Sequence, residues 1–244
     1  MTSPHTEPKS EAQQTKYQSP IDIVASTAIQ TSVPELVWNE CYHETPEKTI
    51  VECGPSGIVL AVEFSNSRDA IVEGGPLSAP YKFQHIHFHW AEKIDCGSEH
   101  AIDGNFFDME MHAVHTKTDC TVAEALDMIT AYPMRKTNRN AEAVRHLDDV
   151  QTFLNKKSHG KYQLPKPFPL NELMVLFKMN YYYYDGSLTI PPYTSNVKWM
   201  IPTAILKVTK AQWKRLRDFA KSNRRELQNL NARPVYFVSS IKSK

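Results

Sequence analysis

His85, His87 and His89 stand at alternate positions of the segment 81–90, YKFQHIHFHW. In an extended strand successive side chains alternate faces, so the three imidazoles project one way and Ile86, Phe88 and Trp90 the other. Two imidazoles at adjacent same-face positions are well separated for gripping one metal ion, and a catalytic zinc site uses three protein ligands plus a water. The third ligand should come from a neighbouring strand. The segment 106–115, FFDMEMHAVH, supplies it: His112 and Glu110 share a face, and His115 points the other way. Spacing alone leaves open whether His85/His87 or His87/His89 is the pair. It does not fix the metal either, although three imidazoles suit zinc best among the common biological choices. A lone His-x-His pair in a strand is more often ordinary; the second His-bearing strand raises this one above that reading.

The elements that must position these side chains are mostly strands. Segments 57–64, 81–90, 106–115, 173–178 and 235–239 are rich in β-branched and aromatic residues and are separated by turn residues, with Glu73-Gly74-Gly75-Pro76 a strong break. Two helices are expected. One spans 140–156, with Val144, Leu147, Val150, Phe153 and Leu154 at helical spacing. The other spans 209–222, opening on the capping box Thr209-Lys-Ala-Gln212, with Trp213, Leu216 and Phe219 as its buried stripe. Its Lys and Arg residues read as a solvated face rather than a nucleic-acid patch. The mixture predicts one α+β domain.

Composition narrows the function. Lys plus Arg is 28 and Asp plus Glu 27, a net charge of +1, which excludes electrostatically driven nucleic-acid binding as the main activity. The four Cys, at 41, 53, 96 and 120, have no regular spacing and read as free thiols. No apolar signal segment and no run of 18 apolar residues occurs, so the expectation is a cytoplasmic protein without membrane contact. Residues 1–16 read as a disordered tail. Of the ten His, six lie between His85 and His115.

The strand QHIHFHW, the segment GSEHAIDGNFFDMEMHAVH, the opening QSPIDI, the loop GGPL and the stretch YDGSLTIPP together resemble an alpha-class carbonic anhydrase. They run in family order from Tyr17 to Pro234, about nine-tenths of the chain. The resemblance implies a predominantly β, single domain over 17–244, built on a large twisted, mostly antiparallel sheet with a few peripheral helices. It implies a monomeric, zinc-dependent lyase whose zinc-bound hydroxide attacks carbon dioxide to give bicarbonate and a proton, with carbon dioxide and bicarbonate as its small-molecule partners. By the same resemblance His87, His89 and His112 match the zinc ligands. His85 sits where the family usually has a Gln that orients the first ligand, and could do the same. Glu110 matches the carboxylate that fixes the tautomer of the third ligand. Thr189 matches the gatekeeper hydroxyl, expected to donate to the buried Glu99. Val114, Leu188, Val197 and Trp199 match the apolar wall where carbon dioxide rests, while His100 and His115 match structural or flanking positions.

Four departures qualify the expected activity. Ile58 stands on the strand that in the family often carries a proton-shuttle His, predicting slow to moderate turnover. The usual Trp-rich segment before QSPI is replaced by a short polar tail. The strand expected at about 124–136 is divergent: Pro133 cannot donate to a central ladder and Arg135-Lys136 are poor core residues, so a weakened pocket and exposed neighbouring strands are expected. The apolar run 173–180 is longer than the family's usual loop. The alternative reading is a carbonic-anhydrase-like zinc-binding or interaction protein with little turnover; retention of all three ligand His residues favours the enzyme.

Overall fold

The computed structural model describes residues 16–54, 57–93, 96–118, 127–139, 146–148, 150, 160–219 and 222–239. The expected tail lies almost wholly outside the described residues. So does most of the expected helix at 140–156, although Leu147 and Val150 are described and both are buried.

The strands, in chain order, are β1 (Asp22–Ile23), β2 (Ile29–Thr31), β3 (Leu36–Trp38), β4 (Lys48–Gly54), β5 (Gly57–Glu63), β6 (Ile71–Gly74), β7 (Tyr81–Trp90) and β8 (Ala101–Ile102). They continue as β9 (Met109–Lys117), β10 (Asp127–Thr137), β11 (Gly160–Gln163), β12 (Tyr181–Ser187), β13 (Ser195–Pro202), β14 (Leu206–Thr209) and β15 (Tyr236–Val238). Thirteen form one twisted sheet whose main path runs β11-β4-β5-β7-β9-β10-β13-β12-β15-β2, with β14 beside β10 and the β3–β6 pair beside β7. Pairing is mostly antiparallel; β10 runs parallel to β13 and β14, and β15 parallel to β2. β1 and β8 form a separate small sheet.

Alternation along the central strands produces two apolar layers. Ile86, Phe88 and Trp90 of β7, Met109, Met111 and Ala113 of β9, and Met128, Tyr132 and Met134 of β10 join one core. Residues of opposite parity, Val114, Ile129, Ala131, Val197, Trp199 and Ile201, gather with Ile21, Ile23, Tyr182 and Tyr184 in the other. That second layer belongs to the face on which His87, His89 and His112 lie.

Residues 124–126 lie outside the described residues; over 127–136 the structure overturns the expected weakened strand. β10 is a full central strand, and residues 128–134 are all buried. It pairs with β13 through residues 127–130 and with β14 through residues 134–137. Pro133 falls in the interval between the two, where that side of β10 has no ladder partner and a missing N–H costs least. Arg135 and Lys136 are accommodated as well. The Arg135 guanidinium lies 4.7 Å from the centre of the Phe107 ring, and Lys136 Nζ lies 2.9 Å from the buried Asp108 carboxylate, which also accepts the Lys136 backbone N–H.

The run 173–178 is not a strand. A short turn at Leu170–Glu172 leads into a loop whose Leu173, Met174 and Phe177 are buried. Val175 O and Phe177 O accept hydrogen bonds from Tyr132 and Trp38, so this loop covers the β10 face away from the histidines. The second predicted helix is present as α1 (Lys210–Phe219), and its capping box is made: Thr209 Oγ1 accepts the Gln212 N–H at 3.1 Å and Gln212 Oε1 accepts the Thr209 N–H at 2.9 Å.

Candidate metal centre

β7 and β9 are antiparallel neighbours with His87 opposite His112 and His89 opposite Glu110. Tyr81 and Phe83 pack in the same core as Ile86 and Phe88, although they are odd-numbered like the histidines. A register irregularity between Phe83 and His85 supplies the change of face. It turns the histidine-bearing positions out of that core, toward β9's even-numbered side chains.

One nitrogen each from His87, His89 and His112 lies within 4.8 Å of the other two. Their ring centres are 4.4–5.1 Å apart. Of the two pairs left open by spacing, His87/His89 is the one that converges with His112. The His85 ring centre is 5.2 Å from that of His87, and no hydrogen bond joins them among the described residues, so the orienting contact expected of His85 is not made. His85 is half-buried, and burial lowers its pKa.

Hydrogen bonding indicates which nitrogens are free. His89 Nδ1 lies 3.1 Å from Asn223 O, an acceptor only, so it carries the proton and leaves Nε2 bare. His112 Nε2 lies 2.7 Å from Glu110 Oε1, which leaves Nδ1 bare and 3.3 Å from His87 Nε2. His89 Nε2 is fully buried with no hydrogen-bond partner. An orphaned, unprotonated buried nitrogen beside two others is costly in an apo protein, and it is the arrangement a cation relieves. The donor set of three neutral imidazoles fits zinc. Burial, followed by the neighbouring imidazoles, pushes the pKa of His87 well below its ordinary value. Burial and His89 also lower that of His112, more than Glu110 opposes. Both rings are therefore neutral at physiological pH, as metal ligation requires.

Glu110 anchors this face. Its Oε1 accepts from His112 Nε2 and His100 Nδ1, both at 2.7 Å, and its Oε2 accepts the His100 backbone N–H at 2.9 Å. Burial alone would raise its pKa; His100 and His112 outweigh that and hold the carboxyl well below the usual range. His100, Glu110 and His112 are close enough to resemble a second metal cluster, but these hydrogen bonds already occupy them. From His100 the chain of bonds continues through Tyr184 OH at 2.7 Å to Ser19 Oγ at 2.9 Å, and Ser19 also accepts the Ser187 N–H. A Cβ at Gly186 would lie 2.1 Å from Ser19 Oγ, so only glycine admits this closure.

Glu99 is fully buried, reached through Gly97, where a Cβ would meet Asp108 O at 1.9 Å. Its Oε1 accepts the Arg225 N–H at 2.7 Å and lies 3.4 Å from His89 Nδ1. Its Oε2 lies 3.9 Å from His112 Nε2 but has no hydrogen-bond partner, Thr189 included, among the described residues. The expected gatekeeper contact is thus not made here; the carboxylate is drawn instead to the Arg225 amide and His89. Thr189 itself is buried. Val114, Val197 and Trp199 are buried in the layer beside the histidines, Leu188 packs against it, and the Trp199 ring centre is 4.9 Å from that of His112. Ile129, which pairs with Val114 and Trp199 on either side, completes this wall from the strand judged defective by sequence. His115 points into the opposite core, as its parity predicts. Its Nε2 lies 2.9 Å from Tyr42 OH, and burial lowers its pKa to about 3.

Sequence reasoning did not identify the supporting roles of Asn223, Arg225, Tyr184 and Ser19, and gave His100 no definite partner. Asn223 and Arg225 reach His89 and Glu99 through backbone atoms, which leave no side-chain signature, while the Asn223 side chain ties down β7 at Phe88 O and Trp90 N.

Three neutral imidazoles gathered on one face of a large β-sheet and braced by a buried carboxylate form a group that could hold one metal ion through three ligands. Residues 4–239 match the model of the eukaryotic-type carbonic anhydrase family, and the chain belongs to that family. It is 29% identical to carbonic anhydrase 7 of Mus musculus over 82% of this chain and 76% of that protein. It is 31% identical to carbonic anhydrase 1 of Mus musculus over 84% of this chain and 78% of that protein, and 29% identical to carbonic anhydrase 3 of Bos taurus over 86% and 80%. Among the described residues no helix is long and apolar enough to cross a membrane.

Proposed function

We propose that this chain catalyses the reversible hydration of carbon dioxide to bicarbonate and a proton, with zinc held by His87 Nε2, His89 Nε2 and His112 Nδ1. The observation that carries this reading is the buried, unpartnered Nε2 of His89 facing two other neutral imidazoles. Bound there, zinc would supply the Lewis acidity that makes water a nucleophile at neutral pH. The chain's own residues do the rest. Glu110 fixes the tautomer of His112 and offsets the positive charge of the ion from one shell out. Asn223 O and Glu99 Oε1 hold the proton of His89 on Nδ1. Val114, Ile129, Leu188, Val197 and Trp199 form a wall with no hydrogen-bonding group aimed at substrate, suited to a small, neutral, linear molecule. Thr189, on the segment that follows β12, is the residue assigned to align substrate, with Glu99 Oε2 as the free acceptor for its hydroxyl once the site is loaded.

Each turnover yields a proton that must leave. Ile58 on β5 is 2% exposed and cannot carry it. A group titrating near neutrality releases its proton to bulk water at no more than about 10²–10³ s⁻¹, because recapture is limited to about 10⁹–10¹⁰ M⁻¹s⁻¹. Turnover near this ceiling in dilute buffer, rising as imidazole is added, is the expected result of stopped-flow hydration assays. Turnover far above the ceiling and indifferent to imidazole would contradict the assignment of Ile58. The binding-protein alternative predicts zinc without hydration in the same assay.

A further inference from the structure

Although the chain as a whole carries a net charge of +1, its cations are not evenly spread. Residues 204–217 contain Lys207, Lys210, Lys214, Arg215 and Arg217 and no Asp or Glu before Asp218 at the end of α1, and residues 128–141, between Asp127 and Glu142, contain Arg135, Lys136 and Arg139 and no acid. The fold brings the two stretches together: β14 lies parallel to the end of β10 with Arg135 opposite Lys207, and α1 follows β14 directly. Register partners share a face, so Arg135 and Lys207 are two adjacent exposed cations. Lys210, Lys214 and Arg217 continue the row along α1 at helical spacing. Two of the group have acidic partners, Lys136 with Asp108 and Arg215 with Asp148. Among the described residues the remaining row, Arg135, Lys207, Lys210, Lys214 and Arg217, makes no ion pair. Like charges this close repel one another, and that cost is recovered when a polyanion lies along them.

We propose that this row docks an acidic protein segment in extended conformation. Neighbouring cations on one helix face are about 5–6 Å apart, and alternate side chains of an extended chain are about 6.6 Å apart, close enough for the long Lys and Arg side chains to reach Asp or Glu at every second position. The chemistry of the surroundings favours a peptide over the other polyanions. Single-stranded nucleic acid needs exposed rings on which bases stack, and the nearby rings are buried. Trp213 lies beneath Lys136 and Arg217, at 4.5 and 4.4 Å, and Phe107 lies beneath Arg135. A membrane-bound helix needs an apolar face free to enter the interface, whereas Trp213 and Leu216 of α1 are packed into the protein core.

The test is fluorescence anisotropy of a labelled short peptide with Glu at alternate positions, titrated with the full chain. Binding is expected at an ionic strength of about 0.01 M and should weaken at least about tenfold at about 0.15 M, where the Debye length has fallen from about 30 to about 8 Å. The double variant Lys210→Glu, Lys214→Glu should lose at least about tenfold in affinity while keeping the wild-type melting temperature and hydration rate. Arg135→Gln with Lys207→Gln, from the strand end of the row, serves as an independent variant with the same expectation. No binding at low ionic strength, equal binding by the variants, or tighter binding of a single-stranded oligonucleotide or of anionic phospholipid vesicles than of the peptide would overturn the proposal.

Discussion

His89→Ala yields a folded protein that no longer retains zinc through purification and hydrates carbon dioxide no faster than the uncatalysed reaction. The choice of His89 follows from its surroundings. Its Nε2 is buried without a hydrogen-bond partner, so truncation removes an unsatisfied atom instead of creating several. The carbonyl of Asn223 loses a 3.1 Å hydrogen bond, and Glu99 keeps the Arg225 amide. Loss of a hydrogen-bond partner behind a ligand typically weakens metal binding about 10- to 100-fold. Loss of a ligand itself should exceed that range. Zinc content by mass spectrometry of the native protein, alongside a thermal melt of the metal-free form, separates loss of metal from loss of fold. Stoichiometric zinc with near-normal hydration in this variant would remove His89 from the ligand set.

Glu110→Ala is expected to damage stability as well as metal binding. Three N–H donors converge on this buried carboxylate, from His112 Nε2, His100 Nδ1 and the His100 backbone. Removing it orphans all three, and breaking a buried charged network of this kind costs about 3–5 kcal/mol. Zinc affinity should fall about 10- to 100-fold, because His112 then loses the acceptor that fixes its tautomer and is free to rotate. The pH dependence has a definite sign. The carboxyl pKa is held below its unfolded value of about 4.3, so the stabilisation is fully present above about pH 4.3 and is lost as pH falls toward the folded-state pKa. The stability gap between wild type and Glu110→Gln, read from urea unfolding, should therefore be constant at neutral pH and narrow in acid. A gap that widened in acid would mean that Glu110 is not the ionised anchor.

Much of this centre is legible in local sequence because strand geometry is simple. Alternation alone places His87 and His89 on one face and, on the neighbouring strand, separates His112 and Glu110 from His115. The capping box at Thr209 and Gln212 is equally local, and both of its hydrogen bonds form. What was misread depends on partners distant in the chain. Pro133 and Lys136 look unsuited to a central strand until β13 and β14 are seen to leave a gap at the proline and Asp108 is seen to receive the lysine. The apolar run 173–178 has strand composition, yet its work is to cover the far side of β10, which irregular backbone does while hydrogen-bonding to Tyr132 and Trp38. The brace behind the ligands, His100 to Tyr184 to Ser19, joins residues separated by 84 and 165 positions, a distance no local pattern spans. His85 shows the limit of alternation. It shares the face of His87 and His89, but the convergence of the opposing strand selects its two neighbours.

The central claim is that a zinc ion held by His87, His89 and His112 is what makes this chain hydrate carbon dioxide. The direct measurement is zinc content and stopped-flow hydration on one preparation, as isolated, after complete chelation, and after titration with zinc. The account predicts one zinc per chain, hydration that disappears with chelation, and recovery that rises linearly to a break at one equivalent. Hydration that survives complete removal of zinc, or a folded chain with one bound zinc and no hydration above the uncatalysed rate, would contradict it.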